Sequence, residues 1–142
     1  SDCAALNGML QNVLEITDGV KFMRDPTRGG VAATLNELAA ATDFGIELNE
    51  TDLPVDPTVR AAADMLGFDL LDIANEGKVV MVVDSQNAGK VIETLKKHEL
   101  GKNACVIGAV VESDEPIVEL VTKIGGRRII QMPYGRELPR IC

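Results

Sequence analysis

The run GKVVMVVD, residues 77–84, constrains the fold more than any other stretch of this chain. Five apolar residues stand in a row, long enough for a strand and without the alternation of a strand that has one wet face. That pattern predicts a central strand buried on both faces. A strand of this kind needs other elements packed on each side, and the flanking sequence supplies them.

Residues 3–16, CAALNGMLQNVLEI, carry Leu6, Met9, Leu10, Val13 and Leu14 at helical spacing, with Asp2 as the expected N-cap. GVKFMRD reads as a short strand, and GGVAATLNELAAATDFG as an Ala-rich helix stopped by Gly45. GIELNE is strand-like. DPTVRAAADMLGF predicts a helix capped by Asp56, with Pro57 at its first position and a stop near Gly67. SQNAGKVIETLKKHELG is an amphipathic helix with Ser85 as cap and Gly101 as stop, which puts the only histidine, His98, in its last turn. There His98 complements the helix dipole, and no adjacent nucleophile suggests catalysis. Three strands close the pattern: ACVIGAVVE, PIVELVTK and RRIIQMP. Such an order predicts an α+β (α/β) domain with helices packed on a sheet. The domain should cover residues 1–132, and residues 133–142 form a flexible tail.

Only 3% of residues are aromatic, so the core must be aliphatic. With a formal net charge of −8 the chain is a poor nucleic-acid binder, having neither stacking platforms nor basic surface. No apolar run reaches membrane-spanning length and no signal sequence is seen, so a cytoplasmic location is expected. Three widely spaced cysteines, Cys3, Cys105 and Cys142, neither pair completely nor show a metal-ligand spacing, and no metal site is expected. Cys105 reads as a small buried hydrophobe within a strand.

Three stretches can carry chemistry. In RDPTRGG, residues 24–30, two glycines precede a helix. Either Gly29, Gly30 and the helix N–H groups receive a phosphate, helped by Thr27 and Arg28, or Asp25 simply caps the helix ahead of Pro26. In ANEG, residues 74–77, Asn75 and Glu76 form a turn at a strand end. Glu76 is either a desolvated general base or a solvated turn residue. The tail PYGRELPRIC ends on Cys142. Pro133 and Pro139 oppose helix formation, so the thiol is either a reactive end on a mobile arm or an accidental terminus.

The stretches SDCAAL, RDPTRGGVAATLNELA, GIELNETDLPV, ANEGKVV, LGKNACVIGAVV and the terminal LPRIC closely resemble the HypE family of carbamoyl dehydratases, which serve NiFe-hydrogenase maturation. That family lies in the superfamily of aminoimidazole ribonucleotide synthetase (PurM) and selenophosphate synthetase. The resemblance covers essentially the whole chain. It implies a single mixed sheet flanked by helices, like the PurM C-terminal domain and partly ferredoxin-like. It also implies that a preceding domain, which nothing here resembles, supplies most of the ATP and Mg2+ site and a homodimer interface.

By that resemblance, the carbamoyltransferase HypF loads a carbamoyl group onto Cys142. ATP activates the resulting thiocarboxamide, and dehydration leaves a thiocyanate. The cyano group then passes to iron on the HypC–HypD complex. Glu76 becomes the expected base, and Asp25, Thr27, Arg28, Gly29, Gly30 and Asn75 the expected phosphate or ATP contacts. The competing expectations are another ATP-using member of the superfamily and a non-catalytic docking or carrier module.

Overall fold

The computed structural model describes residues 3–133. In chain order these form α1 (Asn7–Ile16), β1 (Val20–Arg24), α2 (Gly30–Thr42), β2 (Gly45–Asn49), α3 (Pro57–Leu66), β3 (Val80–Val83), α4 (Ser85–Lys96), β4 (Gly108–Val111), β5 (Val118–Val121) and β6 (Arg127–Ile129). Short 3-10 turns at Glu50–Asp52 and Glu99–Gly101 complete the order. The α+β class follows the sequence expectation.

Among the described residues the strands form two sheets rather than one. Four strands lie in the order β4-β2-β5-β6, mixed because β2 and β5 run parallel while the outer pairs are antiparallel. α2 packs Ala32, Leu35 and Ala39 against Ile46 and Leu48 of β2 and Val118 and Leu120 of β5, with Leu71 and Ile130 in the same cluster. These alternate positions share one sheet face. On the other face Arg127 bridges Glu47 and Glu119 at 2.7 and 2.9 Å. Both carboxylates, by accepting its hydrogen bonds, push the guanidinium pKa up.

β3 is not central. Among the described residues it pairs with β1 alone, as an antiparallel ribbon. The apolar run GKVVMVVD has another cause. Val20, Met81 and Val83 pack against the α1–α4 cluster of Met9, Val13, Val91 and Leu95, while Val80 reaches the main cluster. Both faces of the ribbon therefore meet apolar neighbours, yet every residue of β3 stays only partly buried. Periodicity reports apolar contact on both faces, not how many strands lie alongside.

Local chemistry explains several boundaries. The Asp56 side chain accepts from the N–H groups of Thr58 and Val59, and Gly67 ends α3 in the left-handed conformation. Three expectations are displaced. α1 starts only at Asn7, behind Leu6, and Asp2 lies outside the described residues. α2 ends at Thr42 with Asp43 in the left-handed region, and Gly45 instead opens β2. α4 is preceded by Asp84 and stops at Lys96, so His98 falls outside it. Its ring Nδ1 accepts the Leu100 N–H at the head of the following 3-10 turn.

Candidate functional site

The stretch RDPTRGG leaves β1 at Arg24, whose guanidinium pairs with Glu37 on α2. Asp25 is exposed and Pro26 is fully buried. The chain turns at Arg28 and Gly29, and Gly29 is the residue that precedes α2, with φ 72°. Asp25 therefore does not cap the helix: three residues separate it from the cap position, and no side chain caps α2. The Gly30 N–H donates to Thr27 O at 3.2 Å, Ala32 N–H to Leu71 O at 2.9 Å and Ala33 N–H to Gly29 O at 3.0 Å. Much of the first turn is thus satisfied within the protein.

The two glycines answer to packing as well as to the turn. A Cβ on Gly30, whose φ is 62°, would strike the Leu71 carbonyl oxygen and lie 2.6 Å from that of Ile73. On Gly29 it would lie 2.6 Å from Ala33 Cβ and 3.1 Å from Pro133 Cγ. Only a residue without a side chain lets the turn settle between these neighbours.

The second motif is joined to the first. Asn75 N–H donates to Pro26 O at 2.9 Å. The Asn75 side chain folds into its own loop, donating to Ile73 O at 2.7 Å and accepting from Lys78 Nζ at 2.6 Å. Glu76 follows, half-buried, in the same turn. Two stretches about fifty residues apart in sequence therefore form one surface.

The start of the tail reaches the same place. β6 gives way to Ile130, which is buried, and three residues later Pro133 packs on the Gly29 turn. Asn36 of α2 donates from Nδ2 to Ile130 O at 3.0 Å. An open groove of about 430 Å³ runs alongside, lined partly by Asn36, Ile117, Ile130 and Met132. The sequence reading missed Asn36. Its signal was a poor helix former in the middle of an Ala-rich helix.

Chemically, the surface suits an anion. Arg28 is exposed and, among the described residues, has no ion-pair partner, while the Thr27 hydroxyl and the start of α2 stand beside it. A metal is another matter: among the described residues no three His, Cys, Asp or Glu side chains cluster closely enough to hold one. Cys142 lies outside the described residues. Cys105 is exposed and precedes β4 rather than sitting buried inside a strand. Its Sγ donates to Asp52 O at 3.4 Å. Desolvation pushes its thiol pKa up; Lys96 opposes that rise and Asp52 adds to it.

Comparison with known proteins gives the following. Residues 1–121 match the family described as AIR synthase related protein, C-terminal domain. The carbamoyl dehydratase HypE of Escherichia coli (strain K12) is 47% identical over 142 residues, which is 100% of this chain and 41% of that protein. The chain thus spans about two-fifths of the length of the curated relatives it matches. A solved structure of the hydrogenase maturation protein HypE in complex with ATP is 36% identical with a TM-score of 0.91, covering 100% of this chain and 44% of that one. A solved HypE–HypF complex is 43% identical with a TM-score of 0.89, over 94% of this chain and 43% of the other.

Proposed function

We propose that this chain, which belongs to the AIR synthase related protein family as its C-terminal domain, is the C-terminal part of an ATP-dependent carbamoyl dehydratase. The observation that carries the reading is the convergence of three motifs: Asn75 on Pro26, and Pro133 on Gly29. Relatives named carbamoyl dehydratase HypE match along the whole chain, which supports it further.

The chemistry explains why these parts belong together. Cys142 carries the substrate as a thiocarboxamide. Its amide oxygen is a poor leaving group until phosphorylated. The oxygen attacks the γ-phosphorus of ATP, the bond to ADP breaks, and one N–H proton is lost. The carbon–oxygen bond then breaks, phosphate leaves, the second N–H proton departs, and a thiocyanate remains on sulfur. In balance, the thiocarboxamide and ATP become thiocyanate, ADP, phosphate and a proton.

Arg28, with the Thr27 hydroxyl and the Gly29 turn, receives the phosphate whose charge grows as it leaves. Gly30 makes that turn possible by closing on the 71–73 backbone. Asp25 and Asn75 flank the nucleotide side. Glu76, half-buried in the adjoining turn, takes a proton from nitrogen. On this reading Mg2+ arrives with ATP and is held by the remainder of the longer protein. That remainder also holds most of the nucleotide and the homodimer contact.

HypF loads the tail, an assignment supported by the solved complex of a relative with HypF. The HypC–HypD complex receives the cyano group, in the cytoplasm. Residues 133–142 act as the carrying arm, and about nine extended residues beyond Pro133 span roughly 30 Å.

Intact-mass measurement of the full-length protein tests this. After incubation with HypF, carbamoyl phosphate and ATP, the protein should first gain a carbamoyl group and then lose one water. Cys142→Ser should show neither change, because a serine hydroxyl is a far weaker nucleophile at neutral pH. A dehydrated product on the serine variant would rule the reading out.

A further inference from the structure

Ile130 is held at three points. Its side chain is buried, its N–H donates to Val118 O at 2.8 Å, and its carbonyl accepts from Asn36 Nδ2 at 3.0 Å. The β5–β6 ladder ends at Ile129, so the Ile130 carbonyl has passed beyond the strand pairing. Asn36 meets it there. The same Nδ2 also donates to Ala32 O, one turn back on α2, at 2.9 Å, which fixes the side-chain rotamer. Three residues later, Pro133 lies against the Gly29 turn, at the N-terminal end of α2. The helix that begins at the Gly29 turn thus also holds the chain just before the proposed carrier segment.

We infer that Asn36 is a positioning residue: it pins the segment from Ile130 to Pro133 along α2 and so sets the point, beside the Gly29 turn, from which the carrier segment leaves. The proposal rests on the carbamoyl dehydratase reading for its functional consequence, but its geometry stands apart from that reading. An arm of fixed length delivers its end to a site at a concentration set by where its root is held. Releasing the root leaves the thiol intact and spreads its starting points, lowering the fraction of time spent in reacting geometry. Loading by a separate protein, which approaches the arm from solution, does not depend on that root. The two steps should therefore respond differently to the same substitution.

The test uses the full-length protein carrying Asn36→Ala. Carbamoylation of Cys142 by HypF should proceed at the wild-type rate. Single-turnover dehydration of the carbamoylated protein should slow by about three- to ten-fold, the range expected for one lost hydrogen bond. The ATP concentration giving half-maximal rate should not move. A second variant, with two glycines inserted after Pro133, leaves Asn36 and the fold alone and should show the same split. Equal loss in both steps for Asn36→Ala, or unchanged dehydration in both variants, would overturn the inference.

A measurement independent of activity accompanies these. Spin labels on Gln131→Cys and Ala41→Cys, with the other accessible cysteines replaced by serine, should give a narrow distance distribution that broadens on Asn36→Ala. An unchanged distribution overturns the pinning whatever the enzyme does. A broadened one, with no thiocyanate formed by the unlabelled full-length protein that keeps Cys142, leaves the pinning standing and defeats the dehydratase reading instead.

Discussion

At the scale of single residues, the site separates groups that hold the fold from groups free to act. Arg28 is exposed at the turn, so its removal should cost little stability, within about 0.5 kcal/mol. A charge-assisted hydrogen bond to phosphate is worth about 1.5–3 kcal/mol. Arg28→Ala in the full-length protein should therefore slow ATP-dependent dehydration by roughly ten- to a hundred-fold, with an unchanged melting curve. Normal dehydration kinetics would leave the turn without its assigned role. Glu76→Gln keeps the size of the half-buried side chain and removes the proposed base. Carbamoylated protein should accumulate and thiocyanate formation should fall by about a hundred-fold or more, read by mass after ATP addition. An unchanged rate would assign the base to another residue. Cys105 matters here because it is exposed: selective labelling of Cys142 requires Cys105, and Cys3 with it, to be replaced first.

At the scale of elements, the turn into α2 and the start of α3 show two ways of beginning a helix. α2 begins without a side-chain cap and depends on Gly30 closing against the 71–73 backbone. Gly30→Ala should destabilise the chain by about 2–4 kcal/mol, the sum of a left-handed non-glycine residue and an overpacked contact. Chemical denaturation measures this, and a loss below about 1 kcal/mol would show that the 71–73 loop yields easily. It also follows that a Gly30 variant cannot report on phosphate binding alone, which is why Arg28 carries that test. α3 relies on a carboxylate. The backbone N–H of Thr58, first among the causes, then the Thr58 side chain and the Val59 N–H, hold the Asp56 pKa below the ordinary aspartate value. A group whose pKa is lower in the folded state stabilises the fold when ionised. Its contribution is present above the ordinary aspartate pKa and is lost as pH falls through the depressed folded value. Because the carboxylate sits in solvent, the effect is modest. Asp56→Asn should flatten the acid limb of the stability–pH profile slightly, and an identical limb would remove the cap from the acid response.

At the scale of the whole molecule, two apolar clusters meet across the β1–β3 ribbon, which contributes Val80 to one and Met81 and Val83 to the other. A ribbon of two strands is marginal by itself, so each cluster depends on the other through it. The 142-residue chain should therefore unfold in one transition by both calorimetry and circular dichroism. Two separated transitions would show the clusters to be independent. On the proposed reading, which places most nucleotide contacts outside these residues, the same chain should not turn over ATP. Stoichiometric hydrolysis by the purified chain would contradict that division of labour.

The order of helices and strands was readable because each rests on local rules: the Asp56–Pro57 start of α3, the spacing of Met9 and Val13, the double glycine before α2. The resemblance carried by the motif sequences pointed to the dehydratase family before any contact was known. Other features depended on which segments meet in space, and sequence spacing contains no such information. GKVVMVVD became half of a two-stranded ribbon because the apolar matter on its faces comes from two clusters, not from neighbouring strands. Cys105 stands exposed because β4 begins three residues later, at Gly108. Gly30 has a packing reason that sequence spacing does not contain: the space where its Cβ would lie is taken by the carbonyls of Leu71 and Ile73, some forty residues away in sequence. Asn36 had no visible purpose within its helix, since the carbonyl it holds belongs to Ile130. Local preference decides where an element starts and stops; which surfaces it closes on is set by the packing of distant apolar groups and the hydrogen bonds that packing leaves to be satisfied.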